Sequence, residues 1–137
     1  MSSPPRAADS PQIVCVDDEP GNLRLLVSVV EGLGYRAVGF SAGAAAATWL
    51  EDQDPDLIVS DLSMPGGSGF ELLEWVRARR RFDSVPFVLV TSLAGVGRRV
   101  DSLHAGAEDY LNKPLVPVEV AARVESLLRM RRLAQQV

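Results

Sequence analysis

Across 137 residues there is one cysteine, one histidine and one lysine, and each scarcity narrows what the protein can be. Cys15 alone can form no internal disulfide, and its place inside the apolar run IVCV marks it as a small packing side chain rather than a reactive thiol. His104 has no apparent general-base partner and reads as an ordinary surface histidine rather than a phosphodonor. No apolar stretch is long enough to cross a bilayer, and the opening MSSPPRAADSPQ lacks the apolar core of a signal peptide. Residues 1–11 therefore read as a disordered leader and the protein as cytoplasmic, with no membrane partner. A formal charge of −4 offers no general attraction to nucleic acid, and the arginines of Arg77 to Arg81 and Arg129 to Arg132 read as solvated helix faces. The length suits one domain with a real core and excludes two of ordinary size.

What is present is a set of four apolar runs, each ending on a polar residue suited to phosphate chemistry. IVCV is followed by Asp17 and Asp18, LIVS by Asp61, FVLV by Thr91, and DYLN by Lys113 and Pro114. Lys113 is the sole lysine, since 13 of the 14 basic residues are arginine, so its position at one of these endings stands out. Apolar runs alternate with amphipathic stretches five times, the βαβ pattern of a parallel sheet covered by helices on both faces. The expected strands are Gln12–Val16, Arg36–Phe40, Leu57–Ser60, Phe87–Val90 and Asp109–Leu111. In such a fold the C-terminal strand ends share one edge, where ligands bind.

The helices follow from spacing and caps. Leu23, Leu26, Val27 and Val30 form one stripe, closed by Gly32 and Gly34. An Ala-rich helix from Ala42 to Leu50 is expected to be capped by Ser41, and the SGFE sequence is expected to form a capping box through Ser68 and Glu71. That third helix should bury Leu72, Leu73, Trp75 and Val76. A short helix from Arg98 to Ala105, flanked by glycines, should be the least firmly held. The last begins near Pro117, buries Val120, Val124, Leu127 and Leu128, and can continue through RMRRLAQQV.

Adjacent carboxylates Asp17 and Asp18 repel each other unless solvated or bridged by a cation. Mg²⁺ suits them, because it takes hard oxygen ligands and needs only one or two carboxylates plus a phosphate oxygen. Asp61 could supply another oxygen, and it is also the candidate nucleophile, since carboxylates form acyl phosphates. Mg²⁺, Lys113 and the Thr91 hydroxyl could then each meet one phosphoryl oxygen. Gly66 to Gly69 is not a nucleotide-binding loop, because no Gly-Lys-Ser/Thr follows, and turn and helix-start roles suit it better.

Over Gln12 to Met130 the chain resembles the receiver domain of two-component response regulators, through VDDEP, SDLSMPGGSGFELL, VTS and AGAEDYLNKP. The resemblance implies a flavodoxin-like α/β fold of (βα)5 type with strand order 2-1-3-4-5, and a cis Lys113–Pro114 bond. It implies that Asp61 accepts a phosphoryl group from the phosphohistidine of a sensor histidine kinase or phosphotransfer protein. Asp17, Asp18, Asp61 and the backbone carbonyl of Ser63 would hold Mg²⁺, Thr91 and Lys113 would contact the phosphoryl group, and Thr91 and Tyr110 would form the switch. In this family the residues two after Asp61 and Thr91, here Ser63 and Leu93, help or hinder the water that attacks the acyl phosphate. A receiver of residues 12–130, followed by a helical extension or tail over 131–137, would signal to an effector domain or protein, or to a second copy, through residues 98–130. It would be a phosphoacceptor switch that catalyses only its own phosphorylation and dephosphorylation. A haloacid-dehalogenase-like phosphatase is disfavoured because Asp17-Asp18-Glu19-Pro20 departs from its Asp-x-Asp-x-Thr pattern. A docking scaffold that is never phosphorylated is disfavoured by the complete set of site residues.

Overall fold

The computed structural model describes residues 10–62, 69–92 and 106–135. Five strands, β1 (Gln12–Val16), β2 (Arg36–Phe40), β3 (Leu57–Asp61), β4 (Phe87–Thr91) and β5 (Asp109–Asn112), form one parallel sheet in the order β2-β1-β3-β4-β5. Strands β3, β4 and β5 each run one residue past their apolar stretch. Ladder pairing uses backbone groups only, so Asp61 pairs with Val90, and Thr91 with Asn112, despite their polar side chains. Asp61 and Thr91 are thus the last rungs of their strands, fixed by the ladder itself, while Asp17 and Lys113 each lie one residue past the ends of β1 and β5.

Side chains alternate between two faces and build a core on each. On one face Val14, Val16, Ile58, Phe87 and Leu89 pack with α2 (Gly43–Leu50) and α3 (Gly69–Arg77) through Leu50, Leu72, Leu73 and Val76. On the other, Ile13, Cys15, Val59, Val88 and Leu111 meet α1 (Pro20–Gly32) through Leu26 and Val30 and α4 (Pro117–Gln135) through Val120, Val124, Leu127 and Leu128. Each fully buried Leu, Ile or Phe contributes about 1.5–3 kcal/mol. Burial pushes the Cys15 thiol up to about 12, with Glu31 adding to the effect, as suits a packing residue. Helix α1 closes at Gly34, whose φ of 89° lies in the left-handed region that glycine tolerates.

Several expectations need correction. Ser41 does not cap α2: the cap position is Ala42, without a side-chain bond, because the helix starts one residue later than its alanines suggest. Trp75 is half-buried, stacked under the Arg79 guanidinium at 3.5 Å. The arginines from 77 to 81 are no simple solvated face. Arg77 donates to the carbonyls of Gly106, Phe82 and Val85 and to Glu108 at 2.7–2.9 Å, while Arg81 lies over the Phe82 ring and donates to the Leu50 carbonyl and to Asp54. Arg131 is likewise mostly buried and bonds Asp56 at 3.1 Å. At the other end of the chain, Ser10 is held through its carbonyl by the Arg36 guanidinium. Residues 1–9 of the expected leader, Ser63, the Ser68 cap, Leu93, the helix expected from Arg98 to Ala105 with His104, and the last two residues lie outside the described residues.

Candidate functional site

At the end of β1, Asp17 is buried, and its backbone N–H donates to the Phe40 carbonyl at 3.1 Å. Its Oδ1 accepts from the Glu19 N–H at 2.9 Å, whereas its buried Oδ2 has no hydrogen-bond partner. At the end of β3 the buried Asp61 accepts from the Lys113 ammonium, with Nζ 3.0 Å from Oδ2, and the same Nζ lies 3.7 Å from Asp17 Oδ2. Asp18 is exposed, and one carboxylate oxygen from each of Asp17, Asp18 and Asp61 falls within 4.8 Å of the others. Thr91 is buried at the end of β4, its hydroxyl donating to the Ser92 carbonyl at 3.2 Å. The Lys113 N–H donates to the Thr91 carbonyl at 2.8 Å, tying the lysine backbone to the same strand end.

The electrostatics match this crowding. Burial raises the Asp17 pKa, and the charges of Asp61 and Asp18 push it further up, against the lowering pull of the Glu19 N–H and of Lys113. For Lys113, partial burial works to lower the pKa, but the hydrogen bond to Asp61 and the charges of Asp61, Asp17 and Asp18 outweigh it and raise it. The ammonium is therefore firmly charged. A buried carboxylate oxygen without a donor, beside two further carboxylates, is a donor set suited to a small hard dication, so the residues present fit Mg²⁺.

Of the residues singled out in the sequence, Lys113 meets Asp17 and Asp61 directly, the exposed Asp18 brings a carboxylate oxygen within 4.8 Å of theirs, and Thr91 closes the neighbouring strand end. Tyr110 pairs in register with Leu89, so it shares a sheet face with Leu89 and Thr91, where it packs half-buried against the α2–α3 core. The Lys113–Pro114 bond is cis.

Two contributors carried no clear sequence signal of their roles. Gly69 donates its N–H to the Leu62 carbonyl at 2.9 Å, and a Cβ there would lie 2.0 Å from the Asp61 carbonyl oxygen. The chain beyond Asp61 returns onto the strand end only because this residue has no side chain. Glu19 caps α1, accepting from the Asn22 and Gly21 N–H groups at 2.9 and 3.1 Å, which hold its carboxyl below the usual carboxylate range. Its one sequence signal is its place directly before Pro20 at the first helical position.

A family described as the response regulator receiver domain matches residues 13–125. The transcriptional regulatory protein BaeR of Escherichia coli O6:H1 is 36% identical over 140 residues, covering 99% of this chain and 57% of its own length. The sensor protein GacS of Pseudomonas syringae is 34% identical over 121 residues, covering 86% of this chain and 13% of its own length. Such relatives are longer proteins of which this chain spans about half or less. Among solved structures, the signal receiver domain of a signal transduction histidine kinase from Syntrophus aciditrophicus superposes with a TM-score of 0.80 at 32% identity, covering 88% of this chain and 91% of that one.

Proposed function

The chain belongs to the response regulator receiver family and is a two-component signalling domain; from that premise we propose that Asp61 is its phosphoacceptor and that Asp17, Asp18, Asp61 and the Ser63 carbonyl hold Mg²⁺. The observation that carries this reading is the convergence of Asp61 and Asp17 on the Lys113 ammonium, 3.0 and 3.7 Å from its Nζ, at the C-terminal edge of the sheet. The Asp61 carboxylate attacks the phosphorus of a phosphohistidine. An O–P bond forms, the N–P bond to the imidazole breaks, and the bonding pair leaves with the histidine nitrogen. Lys113 stays charged throughout and sits where one phosphoryl oxygen needs a fixed positive partner. Mg²⁺, when bound, supplies the remaining neutralisation of phosphoryl charge. The side chain of Thr91, at the adjacent rung, turns toward a third oxygen, giving up its bond to the Ser92 carbonyl.

Phosphorylation adds about −1.5 to −2 charge. Drawing the Thr91 hydroxyl to that charge vacates space on the face it shares with Tyr110, so the ring moves inward and a two-state equilibrium shifts. The output surface spans residues 98–130, where Val116, Val118 and Met130 expose apolar side chains to an effector domain or a second copy. The receiver unit covers residues 12–130, and α4 carries on past it to Gln135 with Leu133 exposed, which supports an extension over 131–137. No described helix is long and apolar enough to cross a membrane, and the chain's place is the cytoplasm, beside a sensor histidine kinase or phosphotransfer protein.

Incubation with acetyl phosphate and Mg²⁺ tests the reading. The wild type should gain one phosphoryl group, Asp61→Asn none, and Lys113→Ala far less. A wild type that takes up no phosphate would favour a docking scaffold, and equal uptake by Asp61→Asn would move the acceptor elsewhere.

A further inference from the structure

The turn Asp17-Asp18-Glu19 joins β1 to α1, and its geometry is set at the helix end. The Glu19 carboxylate bridges the N–H groups of Gly21 and Asn22, while the Glu19 backbone N–H donates to Asp17 Oδ1. Glu19 thus grips the first turn of α1 with its side chain and one oxygen of Asp17 with its backbone. The consequence is a division of labour within one carboxylate: Oδ1 is pinned toward the helix, and Oδ2 is left buried and unpartnered on the side of Lys113 and Asp61. Gly21 makes room for the grip, since a Cβ there would come to 3.1 and 3.4 Å from the two Glu19 carboxylate oxygens. Pro20 leaves no competing donor at the first helical position.

We infer that Glu19 is a positioning residue for the metal centre, acting through its cap on α1 to aim Asp17 Oδ2 rather than by touching the ion or the phosphoryl group. This rests on the reading of Asp17, Asp18 and Asp61 as the Mg²⁺ site. Partners that orient a ligand typically change metal affinity by about 10–100-fold when lost. The Glu19 backbone N–H survives any change of its side chain, so what is lost with the cap is the placing of that N–H against Asp17 Oδ1, and the effect belongs at the low end of that range. Two simpler roles compete. Glu19 could merely stabilise the helix, or its negative charge near the site could attract the cation at a distance.

Three variants of the full chain separate these roles, each titrated with MgCl₂ by calorimetry at neutral pH, with thermal midpoints recorded without Mg²⁺. Glu19→Ala removes cap and charge, and should weaken Mg²⁺ binding about tenfold. Glu19→Ser restores a good helix cap without the charge, and should recover most of that loss. Ser28→Gly, at an exposed position in the middle of α1, lowers the midpoint but should bind Mg²⁺ like the wild type. Phosphorylation of Glu19→Ala by acetyl phosphate should return to the wild-type rate once Mg²⁺ is raised to saturation. The inference is overturned by unchanged Mg²⁺ affinity in Glu19→Ala, by equal losses in Glu19→Ser and Glu19→Ala, or by a comparable loss in Ser28→Gly. If the wild type itself binds no Mg²⁺, the metal-site reading fails instead, so the two failures are distinct.

Discussion

Replacing Asp17 by Asn should make the metal-free protein more stable and the Mg²⁺-treated protein less stable than the wild type. Without the ion, Asp17 holds a buried charge with one oxygen unpartnered; burial and the charges of Asp61 and Asp18 raise its pKa against the pull of the Glu19 N–H and of Lys113 at 3.7 Å. Asn keeps an acceptor for the Glu19 N–H and places a neutral donor where the crowded Oδ2 was. Relieving an unsatisfied buried polar group of this kind stabilises by about 1–3 kcal/mol. At about 2.1 cal/mol/K of unfolding entropy per residue, 137 residues translate each kcal/mol into about 3.5 °C, so the midpoint should rise by about 4–10 °C. Raising Mg²⁺ to a hundred times its Kd should add about 2.7 kcal/mol to the wild type, or about 9 °C, and nearly nothing to the variant. The pH dependence has a definite sign. The folded-state pKa of Asp17 lies above its ordinary 3.8, so its contribution to metal-free stability is full below 3.8 and lost as pH rises through the raised folded value. The gap between Asn and wild type should therefore close in acid. Scanning calorimetry with and without Mg²⁺ gives the test, and an Asn variant that is less stable without Mg²⁺, or that keeps the full Mg²⁺ response, refutes the reasoning.

Other consequences are equally concrete. Gly69→Ala places a methyl group 2.0 Å from the Asp61 carbonyl oxygen, so the β3–α3 connection must shift; we expect a loss toward the upper end of about 1–3 kcal/mol in urea unfolding, and a near-wild-type midpoint would contradict the close approach. Arg77 satisfies three carbonyls and Glu108 at once, so Arg77→Ala should cost about 2–4 kcal/mol. Arg77→Lys should recover little, since one ammonium cannot reproduce the fork; full recovery would show that charge alone suffices. The hydroxyl of Ser63 and the apolar Leu93 are poorly suited to orient an attacking water, so we expect a long-lived phosphorylated state that Ser63→Asn with Leu93→Glu shortens, as followed by loss of acyl phosphate over time.

The strand ends were legible because each buried run stops abruptly at Asp17, Asp61 or Thr91, and because the only lysine stands at the fourth ending. Periodicity could also name the faces of α1 and α4, since Leu26 and Val30, and Val120 to Leu128, must be buried together. It could not order the strands: β1 lies between β2 and β3 through crossovers that leave no trace in spacing, and the order came from the family resemblance. Nor could it foresee Arg77, whose acceptors at Phe82, Val85 and Gly106 come together only once α3 and β5 are docked. Ser41 and Glu19 show the same limit at close range. Ser41 has the favoured cap chemistry and no cap bond, whereas Glu19, a residue type outside the usual preference, caps α1 because its longer side chain can turn back onto two N–H groups beside a glycine.

Above all, we propose that Asp61 receives the phosphoryl group at the point where Lys113 and the acidic pair converge. Treating the wild type with acetyl phosphate and Mg²⁺, reducing the acyl phosphate with borohydride and mapping the product by mass spectrometry tests it directly. We expect a reduced side chain at residue 61 in the wild type and none without Mg²⁺; a phosphoryl group retained on His104 or Ser63, with Asp61 unreacted, would overturn the assignment.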